Sequence, residues 1–314
     1  MDKLVLTVGE ILVEIMATTR GDGFREAQSL IGPFPSGAPA IFIDQVGRLG
    51  TAAAIISRVG DDDFGRVNLE RLQADGVDVS GVAVARGEAT GSAFVRYRED
   101  GNRDFVFNIA NSACGKLSMT AEAETLLERA AHLHLMGTAL CAPGLVGVVR
   151  AAIDRIKRRG GTLSFDPNLR PEILNTPGLR EALDEVLAQT DLFLPSGNEI
   201  FLFTKARSEA EAVAELHARG IGEVVIKKGD RGACHYGPAG RTDVAPIAVD
   251  EIDATGAGDC FGGAFVSFWL AGADASIALR YANAAGARAV TRLGPMEGAS
   301  TRAELDAFLL AMKG

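Results

Sequence analysis

The sequence predicts an α/β protein: a doubly wound, mainly parallel sheet with helices on both faces, and a small β-sheet lid set apart from it. Three observations carry this. From about residue 120, strand-like apolar runs alternate with helix-length segments, as in successive βαβ units. Two earlier β-rich stretches, about 10–31 and 91–111, break that rhythm and read as the lid. No linker, repeat or low-complexity segment divides the 314 residues, so they read as one α/β domain (1–314) with the lid inserted in it.

In chain order, residues 4–8 read as a strand, followed by a Gly9-Glu10 turn and more β-like sequence over 11–16. The Gly- and Pro-rich run from Gly32 to Gly37 reads as a link into a helix over 39–49. A strand over 54–59 precedes a helix over 64–75. Residues 91–98 and 103–108 read as a hairpin, because Asp100-Gly101 supplies the positive φ that tight turns need. Helices over 121–129, 145–159, 179–188 and 209–219 are each followed by a strand, over 131–136, 162–166, 191–194 and 223–227. Helices over 257–270, 275–291 and 302–312 close the chain.

Composition narrows the function. Apolar residues make up 47% and charged residues 23%, which excludes a disordered chain. The net charge of −9 excludes a general attraction for nucleic acid or anionic membrane, so an anionic ligand needs local chemistry. Cys260–Ala273 is free of charge but, at 14 residues, too short for a bilayer. The start, MDKLVLTV, lacks the pattern of a signal peptide, and Cys114, Cys141, Cys234 and Cys260 show no C-x-x-C spacing. These features predict a reduced, cytoplasmic protein.

The chemistry concentrates in Asp253-Ala254-Thr255-Gly256-Ala257-Gly258-Asp259. Small residues here meet the start of a helix. Gly256, Ala257 and Gly258 let backbone approach a ligand closely, and N–H groups at a helix start favour an anion. Asp259, in the first helical turn, is placed to take a proton from a hydroxyl attacking a phosphate. The plainer alternative is a capped helix with a favourable first-turn acid. A dinucleotide fingerprint fails because Phe261 occupies its third Gly position, and no segment supplies G-x-x-x-x-G-K-[S/T].

This segment resembles the D-T-x-G-A-G-D signature of the PfkB, or ribokinase-like, carbohydrate kinases. Other segments agree in order: Gly9-Glu10-Ile11-Leu12-Val13-Glu14, Ser36-Gly37-Ala38-Pro39-Ala40, Val59 to Gly65, Asp166-Pro167-Asn168-Leu169-Arg170 and Lys227 to Gly232. The resemblance covers nearly the whole chain. It implies a ribokinase-like fold with a lid over the sugar, ATP and Mg2+ as cosubstrate and metal, and potassium near Asp253. It implies that Asp259 is the catalytic base and that Gly256, Ala257 and Gly258 form the anion hole. Glu14, Gly37, Ala38, Asn108 and Arg170 would bind sugar together with Asp259. Asn198, Lys227, Gly229, Gly232, Gly258 and Asn283 would line the nucleotide. Asn198 and Glu199 resemble the start of the family's N-x-x-E element, which organises magnesium-bound phosphates, although its fourth position here is Phe201. Glu199 and Asp253 are the candidate metal residues.

The resemblance is closest to tagatose-type ketohexose kinases, and a neutral tagatose- or fructose-type sugar phosphorylated to the 6-phosphate is expected. Ile41 stands where fructokinase-like relatives carry Asn, with Asp44 and Gln45 one turn on as candidate replacements. Ketodeoxygluconate kinases share the Asp166–Arg170 segment but carry a lid Y-Y-R, whose Arg is Ile109 here. Losing that bidentate partner argues against a carboxylate substrate. A sugar-acid kinase and a non-catalytic sugar sensor remain the alternatives. A homodimer through the lid is expected. His132 and His134, alternating on a strand without a third ligand, read as locally satisfied core residues, and Cys260 as a packing residue.

Overall fold

The computed structural model describes residues 3–169, 174 and 176–312. Its first half contains β1 (Leu4–Val8), β2 (Leu12–Ala17), β3 (Leu30–Ser36), α1 (Ala38–Arg48), β4 (Ala53–Gly60), α2 (Asp63–Ala74), β5 (Val77–Asp78), β6 (Val82–Ala85), β7 (Gly91–Tyr97) and β8 (Arg103–Asn108). Then follow α3 (Ala121–Arg129), β9 (Ala130–Met136), α4 (Pro143–Arg158), β10 (Thr162–Asp166), α5 (Leu179–Leu187), β11 (Leu192–Phe193), α6 (Glu209–Ala218) and β12 (Glu223–Lys227). The chain closes with β13 (Ala233–Gly237), β14 (Gly240–Val244), α7 (Ala257–Leu270), α8 (Ala275–Ala289) and α9 (Arg302–Ala311).

Among the described residues, ten strands form the main sheet, in the order β14-β13-β12-β11-β10-β9-β1-β4-β5, with β6 also on β4. It is parallel except for the β12-β13-β14 edge. β1 pairs with β4 on one side and β9 on the other. The chain therefore leaves β1 in one direction and later returns on its other side, a topological switch at which α/β proteins bind ligands. β1 is buried along its whole length, as a strand covered on both faces must be. Leu4, Leu6 and Val8 face one apolar layer and Val5 the other, following the strand's two-residue period.

The charge-free run of α7 is explained by burial. Ten of its fourteen residues are buried, and the helix packs against α1 and α8. Gly263 permits the close crossing with α1, since a Cβ there would lie 2.6 Å from the Phe42 carbonyl oxygen. Cys260 packs here fully buried, and all four cysteines are free thiols. Among the described residues, no helix is long and apolar enough to cross a membrane.

A separate small sheet has the order β3-β2-β7-β8. It corrects one expectation: residues 30–36 are a strand, not a link. β3 is an edge strand, where the missing N–H groups of Pro33 and Pro35 leave no ladder position unfilled on the open side. The short β5 and β6 and the β13-β14 hairpin also escape the sequence periodicity, because two- to five-residue strands carry too few alternations to register.

His132 and His134 lie fully buried on β9. His132 bonds Thr162 Oγ1 through Nδ1 (2.8 Å) and Ser164 Oγ through Nε2 (2.7 Å), and His134 Nδ1 bonds the same Ser164 hydroxyl (2.7 Å). Burial holds His132 neutral, with its pKa lowered to about 3. Its contribution to stability is thus complete above the ordinary histidine value and is lost as pH falls below it. In urea unfolding at pH 7.5 and pH 5, the wild type should lose about 2 kcal/mol relative to His132→Gln on acidification. A difference that does not change with pH would refute the neutral buried imidazole.

Candidate active site

A pocket opens where three neighbouring strands of the main sheet end. Glu10 follows β1, Thr138 follows β9 and Asn168 follows β10, and all three line it. Its floor includes Gly37, Ala38 and Ile41 of the α1 start, with Thr255 and Asp259 at the α7 start. The small sheet covers it with Glu14, Ala93, Phe105, Phe107 and Ile109. The empty space is about 560 Å3, counted out to the solvent-facing mouth.

Local backbone rules build the α7 start. Gly256 has φ 81°, a left-handed conformation, and a Cβ on it would lie 2.3 Å from the Pro295 carbonyl oxygen. Only glycine fits both conditions. Gly258 faces open space except toward Lys227, whose Nζ would be 3.5 Å from a Cβ at that position. A lysine ammonium and the free N–H groups of a helix start therefore converge on one spot, which suits an anion. Asp259 sits in the first turn of α7, and the Asn168 amide approaches its Oδ1 at 3.4 Å. Asn168 has φ 39°, the only positive φ outside glycine among the described residues. Its backbone N–H donates to Asp166 Oδ1 (3.1 Å), which holds it in that conformation.

Lys227 is paired with Asp166, and both are buried. Glu199 lies close to this pair. Its oxygens accept the N–H of Leu169 (2.8 Å) and of Ser196 (2.7 Å), so it pins the loop after β10 to the loop after β11. Burial and the Asp166 charge push the Glu199 carboxyl above its ordinary value, against the pull of Lys227.

Asp253 is fully buried. Its Oδ1 accepts from Tyr97 OH (2.6 Å) and the Thr255 N–H (2.9 Å), and its Oδ2 accepts from the Gly294 N–H (3.0 Å). Tyr97 OH in turn accepts from the Ala254 N–H (3.0 Å), and Arg103 Nη1 donates to Thr255 Oγ1 (2.8 Å). Tyr97 and Arg103 face each other across the β7-β8 hairpin. The hairpin is thus latched to the glycine loop at three consecutive residues, Asp253, Ala254 and Thr255.

The sequence-predicted residues divide accordingly. Glu14, Gly37, Ala38 and Asp259 meet at the pocket. Gly256, Ala257, Gly258 and Lys227 meet beside it. Asn108 does not: Phe105, Phe107 and Ile109 point inward, and strand alternation turns Asn108 to the exposed face. Asn198 is exposed, and the four-residue element bonds internally from Ser196 to Glu199 rather than from Asn198 to Phe201. Gly229 and Gly232 shape the β12-β13 turn with φ 58° and 81°, and Asn283 ties α8 to the end of β14 through the Ala245 carbonyl (2.8 Å). Asp44 and Gln45 do not substitute for Ile41, because Asp44 pairs with Arg71 (3.3 Å) and Gln45 holds the Ser300 backbone at 2.7 and 2.9 Å. Arg170 lies outside the described residues. Sequence reading missed Tyr97, Arg103, Thr138 and the second acid, Glu10. The only sequence signal for Tyr97 and Arg103 was their symmetric place about the Asp100-Gly101 turn.

A ribokinase-like fold with a glycine-rich helix start, a first-turn aspartate and a lidded pocket defines the class. Residues 2–302 match the pfkB family carbohydrate kinase pattern, and the chain belongs to that family of carbohydrate kinases. It is similar to fructokinase-1 of Oryza sativa subsp. japonica, at 33% identity over 96% of each chain. An E. coli protein described as a "putative Ribokinase II", solved in complex with ATP and Mg2+, is 49% identical, with coverage of 99% of this chain and 100% of that one and a TM-score of 0.92. A fructokinase double mutant from Vibrio cholerae O395, solved with fructose, ADP and potassium bound, is 29% identical, with coverage of 98% and 99% and a TM-score of 0.83.

Tyr97→Phe removes a buried hydrogen bond to a carboxylate and should destabilise the protein by about 2 kcal/mol in urea unfolding. A change under about 0.5 kcal/mol would show that the latch contributes little to the fold.

Proposed function

We propose that this carbohydrate kinase transfers a phosphoryl group from ATP to a primary hydroxyl of a neutral ketohexose, of the fructose or tagatose type, giving the 6-phosphate. The observation that carries the reading is the juxtaposition of Asp259, which lines the pocket, with the Gly256–Gly258 helix start and Lys227 beside it. Asp259 accepts the proton of the hydroxyl as its oxygen attacks the terminal phosphorus, and the bond to the leaving ADP oxygen breaks. The free N–H groups of Gly256, Ala257 and Gly258 and the Lys227 ammonium stabilise the charge on the transferred group. Asn168 orients the Asp259 carboxylate. The nucleotide lies on the side of Lys227, Gly229, Gly232 and Asn283.

Neutrality of the sugar is supported by the pocket lining. Phe105, Phe107 and Ile109 offer apolar faces to sugar carbons, and Ile109 stands where the sugar-acid kinases carry the Arg that would pair with a carboxylate. The donor sets bear on the metals. Magnesium, when bound, neutralises phosphate charge. Glu199 fits its support, because each oxygen carries one N–H bond and keeps a lone pair for a metal-bound water. Asp253 accepts three hydrogen bonds, which leaves one lone-pair direction for potassium, so most of its ligands would have to be backbone carbonyls.

A coupled assay for ADP with fructose, tagatose and 2-keto-3-deoxygluconate tests the substrate class. Turnover of the sugar acid alone would refute the neutral-sugar reading. Asp259→Asn should keep the fold and lower kcat by about a hundred- to ten-thousand-fold. Near-normal turnover in that variant would remove Asp259 from the role of base.

A further inference from the structure

Glu10 Oε2 and Thr138 Oγ1, both buried and both lining the pocket, have no partner within hydrogen-bond distance among the described residues. They come from adjacent strands. β1 and β9 pair in register up to Thr7 and His134, and the two chains then run on to Glu10 and Thr138 at the same end of the sheet. Both side chains line the same cavity, and both residues are buried, Glu10 to 1% exposure. Buried polar groups are nearly always satisfied, so two orphans facing one cavity point to a ligand atom that satisfies both.

Their chemistry specifies that atom. A carboxylate oxygen accepts, and a threonine hydroxyl can donate. A sugar hydroxyl does both at once, giving its hydrogen to one and taking a hydrogen from the other. Water would satisfy the pair as well, but a bound sugar must displace it and replace its bonds. We propose that Glu10 and Thr138 together read one hydroxyl of the bound sugar, which makes Glu10 a specificity-determining residue distinct from Glu14. This rests on the sugar-kinase reading above.

The surroundings agree. Burial pushes the Glu10 carboxyl up to about 7, with the nearby Asp259 charge adding to it, while the Thr138 hydroxyl and the Ala38 amide pull the other way. The other titratable groups near it, the Cys114 and Cys141 thiols, are themselves pushed up to about 12 by burial, so they stay neutral and offer no charge to pair with. The position is also closed from behind, because Gly37 lies against the Glu10 carbonyl, where a Cβ would come within 2.4 Å.

The test is a functional-group cycle, run on whichever ketohexose the wild type phosphorylates best and on its monodeoxy analogues. The wild type should discriminate against one analogue by about a hundredfold or more in kcat/KM, since a site built to bond a hydroxyl is left with unpaired groups when it is missing. In Glu10→Ala that discrimination should fall below about tenfold. The ratios for the other analogues and the KM for ATP should stay within twofold. Thr138→Val should relax discrimination against the same analogue, and Glu10→Gln should recover part of it. Should Glu10→Ala fail to fold, the Thr138→Val and Glu10→Gln ratios decide the matter alone. Variants that slow all sugars equally, with unchanged analogue ratios, would reduce Glu10 to a structural role and leave the sugar-kinase reading intact. Absence of sugar turnover in the wild type would overturn both.

Discussion

The buried carboxylate of Asp253 joins three separated pieces of chain. Its oxygens hold Tyr97 from the small sheet, Thr255 from the glycine loop and Gly294 from the loop after α8. A buried carboxylate is costly unless its lone pairs are filled, and here three donors fill them. The same bonds set where α7 begins. Gly256 then turns left-handed under Pro295, one residue beyond Gly294. Further out, Arg71 donates to the Met296 carbonyl (2.7 Å) while paired with the buried Asp44, so α1 and α2 brace that loop. The position of Asp259 is therefore set by contacts spread over most of the chain.

That arrangement resolves an apparent conflict in charge. The chain carries a net charge of −9, yet its site is suited to phosphate. The positive field is local. It comes from oriented N–H groups at the α7 start and from Lys227, which is held in place by Asp166. A buried pair of this kind is weak evidence for stability, because desolvation offsets much of the attraction. Its value lies in position: the ammonium cannot swing into solvent, and Asn168, strained at φ 39°, is anchored to the same aspartate. The left-handed Asn168 and the buried Lys227–Asp166 pair thus sit together at the site.

Much of this was legible in the residues. The alternation after residue 120 predicts the main sheet, and the Asp253–Asp259 run marks the helix start on physical grounds alone. The illegible parts share one cause. Asn108 was expected in the pocket, but a single step of strand register turned it outward and gave the wall to Phe107 and Ile109. Asp44 and Gln45 were polar and near Ile41 in sequence, yet their partners, Arg71 and Ser300, lie far along the chain. Thr138 and Glu10 are separated by more than a hundred residues and become neighbours only because β1 and β9 pair.

The sequence by itself determined the fold class, the family and the chemistry of the α7 start. These depend on local periodicity and on short runs of small residues, which act over a few neighbouring positions. Only the tertiary structure decided which side chains share the pocket, how the small sheet is latched to the glycine loop, and which polar atoms are left for a ligand. Those outcomes depend on strand pairing between distant segments, and on burial, which decides whether a polar group finds its partner in protein or must find it in substrate.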